Sequence, residues 1–290
     1  MSELDEVYNS YDSTNRQYSK EEYAEYKRQE KQEIYDLIDS TAEKIVTNGK
    51  EFQKYLDTQS KFDNYSVGNT LLVTAQNPKA TQLRDYDGWS NSGAYPKRFS
   101  KGIKILEPGD EYMREDGSVG INYNVKKVYD ISQVTARQKP RITNYNDKIM
   151  SKIFLSSNLS KIQLVDEIPE TDKGAMYDFS DDTLYIARGA EAPKIFHELS
   201  QELAKQEIGE GSSLDTFKAY CVSYMLCKRY NIDVSNYDFK EIPPQLQGME
   251  AKEIREELEP MRNAMESINT RMSAFIQKLA RENRSKENVR

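Results

Sequence analysis

The sequence predicts an α+β protein of two units, and three observations carry the prediction. Helical apolar spacing dominates residues 19–76, and short β-branched and aromatic runs separated by Gly- and Asp-containing turns follow from Thr81. After a polar, proline-containing stretch at 135–147, strands and then paired helices begin again. The chain closes on a heptad-like apolar seam. At 290 residues there is enough chain for two modest cores.

Residues 1–18 have no apolar period and read as disordered. The first unit spans 19–134. Ser19 and Glu22 have the spacing of a capping box, and Tyr23, Tyr26, Ile34, Leu37, Ile38 and Ile45 then recur at helical intervals up to a stop near Gly49. A second helix is expected over Lys50 to Thr58, and a third from about Val67 to Gln76, ended by Pro78. The runs "TQLRDYDGW", "GIKILEP" and "INYNVKKVYDIS" read as strands of a small antiparallel sheet, with a turn at "REDGSVG". Residues 135–147 are the expected linker.

The second unit, 148–247, opens with a helix, the strand "KIQLVDEI" and the hairpin "GAMYDFSDDTLYIARG", turning at Ser180 to Asp182. The helix carrying His197 follows, and then the helix "SSLDTFKAYCVSYMLCKRY". In 248–290, Ile254, Leu258, Met261, Met265, Ile268, Met272, Phe275 and Leu279 alternate in steps of four and three. Pro260 interrupts the seam, so the continuous helix is expected to start near Glu259. A long helix lying back on its own domain is the first reading. Homo-oligomerisation through 259–279 is the second.

Composition narrows the function classes. The chain is 37% hydrophobic and 31% charged with net charge −7, the profile of a solvated surface. No apolar run is long enough to cross a bilayer, and the N-terminus lacks the core of a signal peptide, so a cytoplasmic location without membrane contact is expected. Cys221 and Cys227 have neither redox-pair nor zinc-knuckle spacing and read as buried thiols.

An acidic chain binds nucleic acid only through a local basic patch. Residues 91–106 hold Lys97, Arg98, Lys101 and Lys104 and no acidic residue, a net +4. Tyr86, Trp89, Tyr95 and Phe99 are interleaved with them. Cations serve a phosphate backbone and exposed rings stack on unpaired bases. Lys126, Lys127, Arg137, Lys139 and Arg141 extend the basic track. Trp89 reads equally as core. Asn69 and Gln76, seven residues apart, share a helical face and serve either as contacts or as a brace, and Tyr65 is similarly open. No helix-turn-helix or zinc-finger pattern appears, so binding is expected to be sequence-tolerant and salt-dependent.

The stretch "KIFHELSQELAKQE" begins like the helical zinc motif H-E-x-x-H, in which two imidazoles one turn apart grip the ion and the intervening Glu works on its water. His197 and Glu198 match, but the second ligand position is Gln201, and His197 is the only histidine in the chain. An amide is a poor zinc ligand, and without zinc Glu198 has no activated water to act on. The expectation is no bound zinc, no cofactor and no catalytic residue. A metallopeptidase with a rearranged ligand set, drawing on Glu202 or Asp215, is the alternative.

"FDNYSVGNTLLVTAQNPKATQLRDYDGW", "KGIKILEP" and "VYDISQV" resemble the N-terminal domain of ArdC-type antirestriction proteins, the LtrC-like relatives above all. That family's pattern runs F-x-x-Y-S-x-x-N, Q-x-P-x-A-T, G/D-x-x-x-W, K-G-x-x-I and F-D-I-S-Q-T, and the match spans about Phe62 to Thr135. The resemblance implies a single-stranded DNA-binding domain of conjugative plasmids and transposons, with conjugation or restriction proteins as further partners. "FHELSQELAKQE" and "FKAYCVSYMLCKRYNID" resemble that family's zincin metallopeptidase-like unit. On this resemblance the third ligand position, a glutamate, falls at Tyr220. The implied protein is a single-stranded DNA-binding accessory protein of a mobile element with a degenerate zincin-like domain. A conjugation scaffold acting through the C-terminal helix is the remaining alternative.

Overall fold

A computed structural model describes residues 19–114, 116–136, 144–169 and 171–287. The disorder expected for 1–18, and Arg137, Lys139 and Arg141 of the basic track, lie outside the described residues.

Helix α1 (Lys20–Ile45) starts as its sequence requires. The Ser19 hydroxyl accepts from the Glu22 N–H, and the Glu22 carboxylate accepts from the Ser19 N–H. Its buried face is Ile34, Ile38, Ala42 and Ile45. Helix α2 (Gly49–Gln59) is capped by Asn48, and α3 (Val67–Gln76) by Ser66. Gly49 accepts no substitute, because a Cβ there would fall 1.3 Å from the Phe239 carbonyl oxygen.

Strand β1 (Leu83–Arg84) is shorter than expected. Asp85 accepts from the Gly88 N–H and turns the chain into the single helical turn α4 (Tyr86–Ser90), so most of "TQLRDYDGW" is not strand. β2 (Ile103–Met113) and β3 (Val119–Asp130) form a long antiparallel hairpin, in sheet order β1-β3-β2. Ile103, Ile105 and Val128 on one face pack with Phe62, Val73 and Ala80.

Helix α5 (Asp147–Ser156) leads into β4 (Lys161–Val165), β5 (Ala175–Asp178) and β6 (Thr183–Ala187). The order is β4-β6-β5, with β4 parallel to β6 and β5 antiparallel to it. Helices α6 (Lys194–Ile208), α7 (Ser213–Arg229) and α8 (Ala251–Glu287) complete the chain. α8 begins eight residues earlier than expected and runs through Pro260. An internal proline costs about 3 kcal/mol. Leu258 and Met261, buried on either side of it, hold the helix together.

The seam is satisfied within the chain. Ile254, Leu258, Met261, Met265, Ile268 and Met272 are all at most 2% exposed. They belong to one core that also takes Ile38, Leu56 and Leu71 from the first half and Phe154, Leu203 and Leu226 from the second. The self-association reading of 259–279 therefore loses its interface as far as Met272, because the residues that would form it are covered by this chain's own helices. Polar contacts fasten the same junction. The buried Asp63 carboxylate accepts from Asn269 at 2.5 Å and pairs with Arg229 at 2.9 Å, while Asp57 takes Lys228 at 2.8 Å and the Tyr224 hydroxyl at 2.6 Å. Arg229→Ala strands the Asp63 charge and should cost about 3–5 kcal/mol, read as a lower urea midpoint for the whole chain.

Candidate nucleic-acid interface and the His197 helix pair

The basic loop 91–102 is pinned from below. The Trp89 ring is 3% exposed, packs with Ala94 and Val134, and donates from Nε1 to the Tyr129 carbonyl at 2.8 Å. Asp130, also buried, accepts from the N–H groups of Thr81 (2.7 Å), Gln82 (3.0 Å) and Ser132 (2.9 Å), and from the Ser132 hydroxyl. Burial alone would raise its carboxyl pKa, but these donors outweigh burial and hold it below the usual range. The 3₁₀ turn Ile131–Gln133 that Asp130 caps then grips the loop. The Gln133 carbonyl accepts from the Lys97 N–H at 2.8 Å, and its side-chain amide donates to the Lys101 carbonyl at 2.7 Å.

What this base presents is cationic and aromatic. Tyr86, Tyr95, Lys97, Arg98, Phe99, Lys101 and Lys127 are exposed. The Tyr86 and Tyr95 rings lie 6.4 Å apart, and the Arg98 guanidinium sits 4.7 Å from the centre of the Phe99 ring. Lys97 donates to the Ser132 carbonyl, and the Cβ of Lys127 borders the loop at Gly102. Arg84, absent from the sequence-based candidates, adds a guanidinium 5.1 Å from the Trp89 ring. Its place at the end of β1, beside the Asp85 cap of α4, was the available signal.

The other candidates serve the scaffold. Asn69 donates to the Leu106 carbonyl and accepts from its N–H, both at 2.8 Å. Gln76 does the same with Lys104 at 2.8 and 2.9 Å. Two side-chain amides on one face of α3 thus pair with the open edge of β2 as a neighbouring strand would. Lys104 is drawn to the buried Glu30 at 3.1 Å, and Lys126 sits between Glu107 (2.8 Å) and Asp85 (2.9 Å), whose carboxylates raise its pKa. Tyr65 is half-buried against Phe62, and burial raises its hydroxyl pKa.

At the second candidate centre, α6 and α7 stand side by side. His197 Nε2 lies 2.6 Å from the Asp233 carbonyl oxygen. An oxygen acceptor at that distance requires a proton on Nε2, which takes that nitrogen out of metal ligation and leaves Nδ1 as the ring's available lone pair. Tyr237 packs 5.2 Å from the His197 ring and 4.9 Å from the Tyr220 ring, with its hydroxyl 2.6 Å from Ser223 Oγ. The Tyr220 hydroxyl accepts from the Asp238 N–H at 2.7 Å, and burial raises its pKa. Gln201 is half-buried on the same helix.

Glu198 does not face an open site. Its Oε2 accepts from the Gly174 N–H at 2.6 Å, and Glu202, one turn on, accepts from the Tyr177 N–H at 3.1 Å. The two carboxylates close the free edge of β5. A Cβ at Gly174 would lie 3.0 Å from Glu198 Oε2 and 2.9 Å from the Ala190 Cβ, so glycine permits the approach. Among the described residues no three His, Cys, Asp or Glu side chains converge on a point that suits a metal ion. Glu202 and Asp215 supply no rearranged ligand set, since Glu202 is taken by β5 and Lys205 and Asp215 by Ser212 and Lys218. The donor set does not fit zinc or manganese.

No protein-family model and no curated protein sequence matches the chain. Solved structures do. The metal-free antirestriction ArdC protein from plasmid R388 superposes with a TM-score of 0.54 at 13% identity, over 82% of this chain and 98% of that one. This chain shares the ArdC fold. The Mn(II)-bound form of the R388 ArdC protein gives a TM-score of 0.52 at 14% identity, over 83% and 99%. The ArdC fold has thus been seen with a metal, whereas the helix pair here closes on itself through His197, Asp233 and Tyr237.

Two outcomes are expected. Dialysis against Zn(II) or Mn(II), followed by metal analysis, should leave well under one equivalent on the protein. Asp130→Ala should cost about 3 kcal/mol at neutral pH, through hydrogen bonds lost to a charged acceptor. A carboxyl with a depressed folded pKa stabilises above the unfolded value near about pH 4 and stops doing so as pH falls through the folded value. The gap between the unaltered chain and the variant should therefore narrow in acid, by urea titration at both pH values.

Proposed function

We propose that this protein binds single-stranded DNA through the surface formed by Arg84, Tyr86, Tyr95, Lys97, Arg98, Phe99, Lys101 and Lys127, as an accessory protein of a conjugative element. The observation that carries the reading is a rigidly supported loop with three basic residues, Lys97, Arg98 and Lys101, and no acidic ones across 91–102, its rings turned outward, in a chain of net charge −7. Cations placed without carboxylate neighbours release counterions from phosphate, and open ring faces accept unpaired bases, which a duplex keeps stacked inside. The ArdC fold, found in an antirestriction protein of a plasmid, supports the same setting: DNA that enters a cell and must be shielded. Restriction enzymes or transfer proteins are the partners this setting brings.

The peptidase-shaped half takes a structural role in this reading. Glu198, the residue that would act on a metal-bound water, is spent on the Gly174 N–H, and His197 on the Asp233 carbonyl. In this reading that half is a degenerate zincin packed against the helices of the first half through the shared core.

The test is fluorescence anisotropy with labelled single- and double-stranded oligonucleotides at two salt concentrations. Tighter binding of the single strand is expected. Lys101→Ala with Lys127→Ala should weaken it and flatten the slope of log affinity against log salt by about 1.4, two phosphate contacts at about 0.7 each for single strands. Equal affinity for both forms, or no binding in dilute buffer, would refute the proposal.

A further inference from the structure

Resting on the single-stranded DNA reading, we infer that Phe99 is the principal base-stacking residue of this surface, held in an unfavourable backbone conformation that exposes its ring. Three observations point to it. Its side chain is 86% exposed, the highest value among the exposed large hydrophobic side chains. Its φ is +64°, a region that bulky L-residues rarely adopt. It is also the third residue of a tight turn, closed by the Ser100 N–H donating to the Lys97 carbonyl at 3.0 Å.

With φ positive at that position, a turn ordinarily takes glycine or asparagine. Among the described residues no apolar packing compensates for phenylalanine here, because the ring enters neither the main core nor the smaller clusters. Residues that break a local rule without a folding gain mark functional positions.

The ring's surroundings specify the ligand. Arg98 lies over the ring at 4.7 Å, so one face is paired with a cation and the other is open. Lys97 and Lys101 flank the turn, and no acidic residue occurs within eight positions on the N-terminal side of Phe99 or seven on the C-terminal side. An anionic ligand carrying flat, unpaired rings satisfies both features: the base lies on the open face and its phosphate meets Arg98 or Lys101. A duplex offers the phosphates but not the base face. Phe99 is thus the element by which the surface tells single from double strands, while the cations supply affinity common to both.

Phe99→Gly tests this cleanly, because glycine suits the turn better than phenylalanine and removes only the ring. Its thermal midpoint should be unchanged or raised. Affinity for fluorescein-labelled oligothymidine should fall about 5- to 150-fold, the range for one lost base stack. Affinity for an abasic strand of equal length, and for duplex, should hold. Phe99→Trp should restore oligothymidine binding. Unchanged oligothymidine affinity in Phe99→Gly, or an equal loss on the abasic strand, overturns this inference while leaving the DNA-binding proposal standing. Phe99-dependent binding to anionic lipid vesicles with unaltered oligothymidine affinity also overturns it. Failure of the unaltered chain to bind oligothymidine overturns both together.

Discussion

The apolar seam of α8 is buried against helices from both ends of the chain, and the remaining contacts conform to that burial. Six seam side chains from Ile254 to Met272 are withdrawn from water. At about 2 kcal/mol each for transfer, their gross contribution is on the scale of a small domain's net stability. A helix interrupted by a proline tolerates the missing hydrogen bond under such packing. The buried Asp63–Arg229–Asn269 contacts add direction rather than much energy: they set which faces of α7, α8 and the α2–α3 connection meet.

Two sheets of three strands leave edges that backbone groups alone do not close, and the fold seals one edge of each with helical side chains. Asn69 and Gln76 offer β2 a donor and an acceptor apiece, because that edge presents both N–H and C=O groups. Glu198 and Glu202 offer β5 acceptors only, because N–H groups face them. The same device gives the H-E pair of α6 structural work. Its glutamate holds a strand in place and its histidine holds a loop.

Much of this was legible in the sequence, wherever the governing interaction is local. The capping box at Ser19, the bounds of α3, the β2–β3 hairpin and the spacing of the α8 seam all follow from residues within a turn or two of each other. The parallel pairing of β4 with β6 was not legible, since register between distant strands depends on packing. Candidate site residues divided on the same line. Lys97, Arg98 and Lys101 were identifiable from a run without acids. Lys104 and Lys126 look equivalent in sequence, but Glu30, Asp85 and Glu107 neutralise them from 74, 41 and 19 positions away. Trp89 could not be assigned to surface or core until its indole N–H was seen on the Tyr129 carbonyl. Nothing local marks Phe99 as left-handed.

The continuity of the core across the segment at 135–147 has a mechanical consequence. A break in the connecting chain there would not release two independent bodies, because each fragment would carry half of a mutually covered apolar surface. Either piece produced alone would display that surface to solvent and aggregate, while a nicked molecule would stay assembled. The helices of the first half and the helix pair at His197 therefore draw on one continuous apolar core.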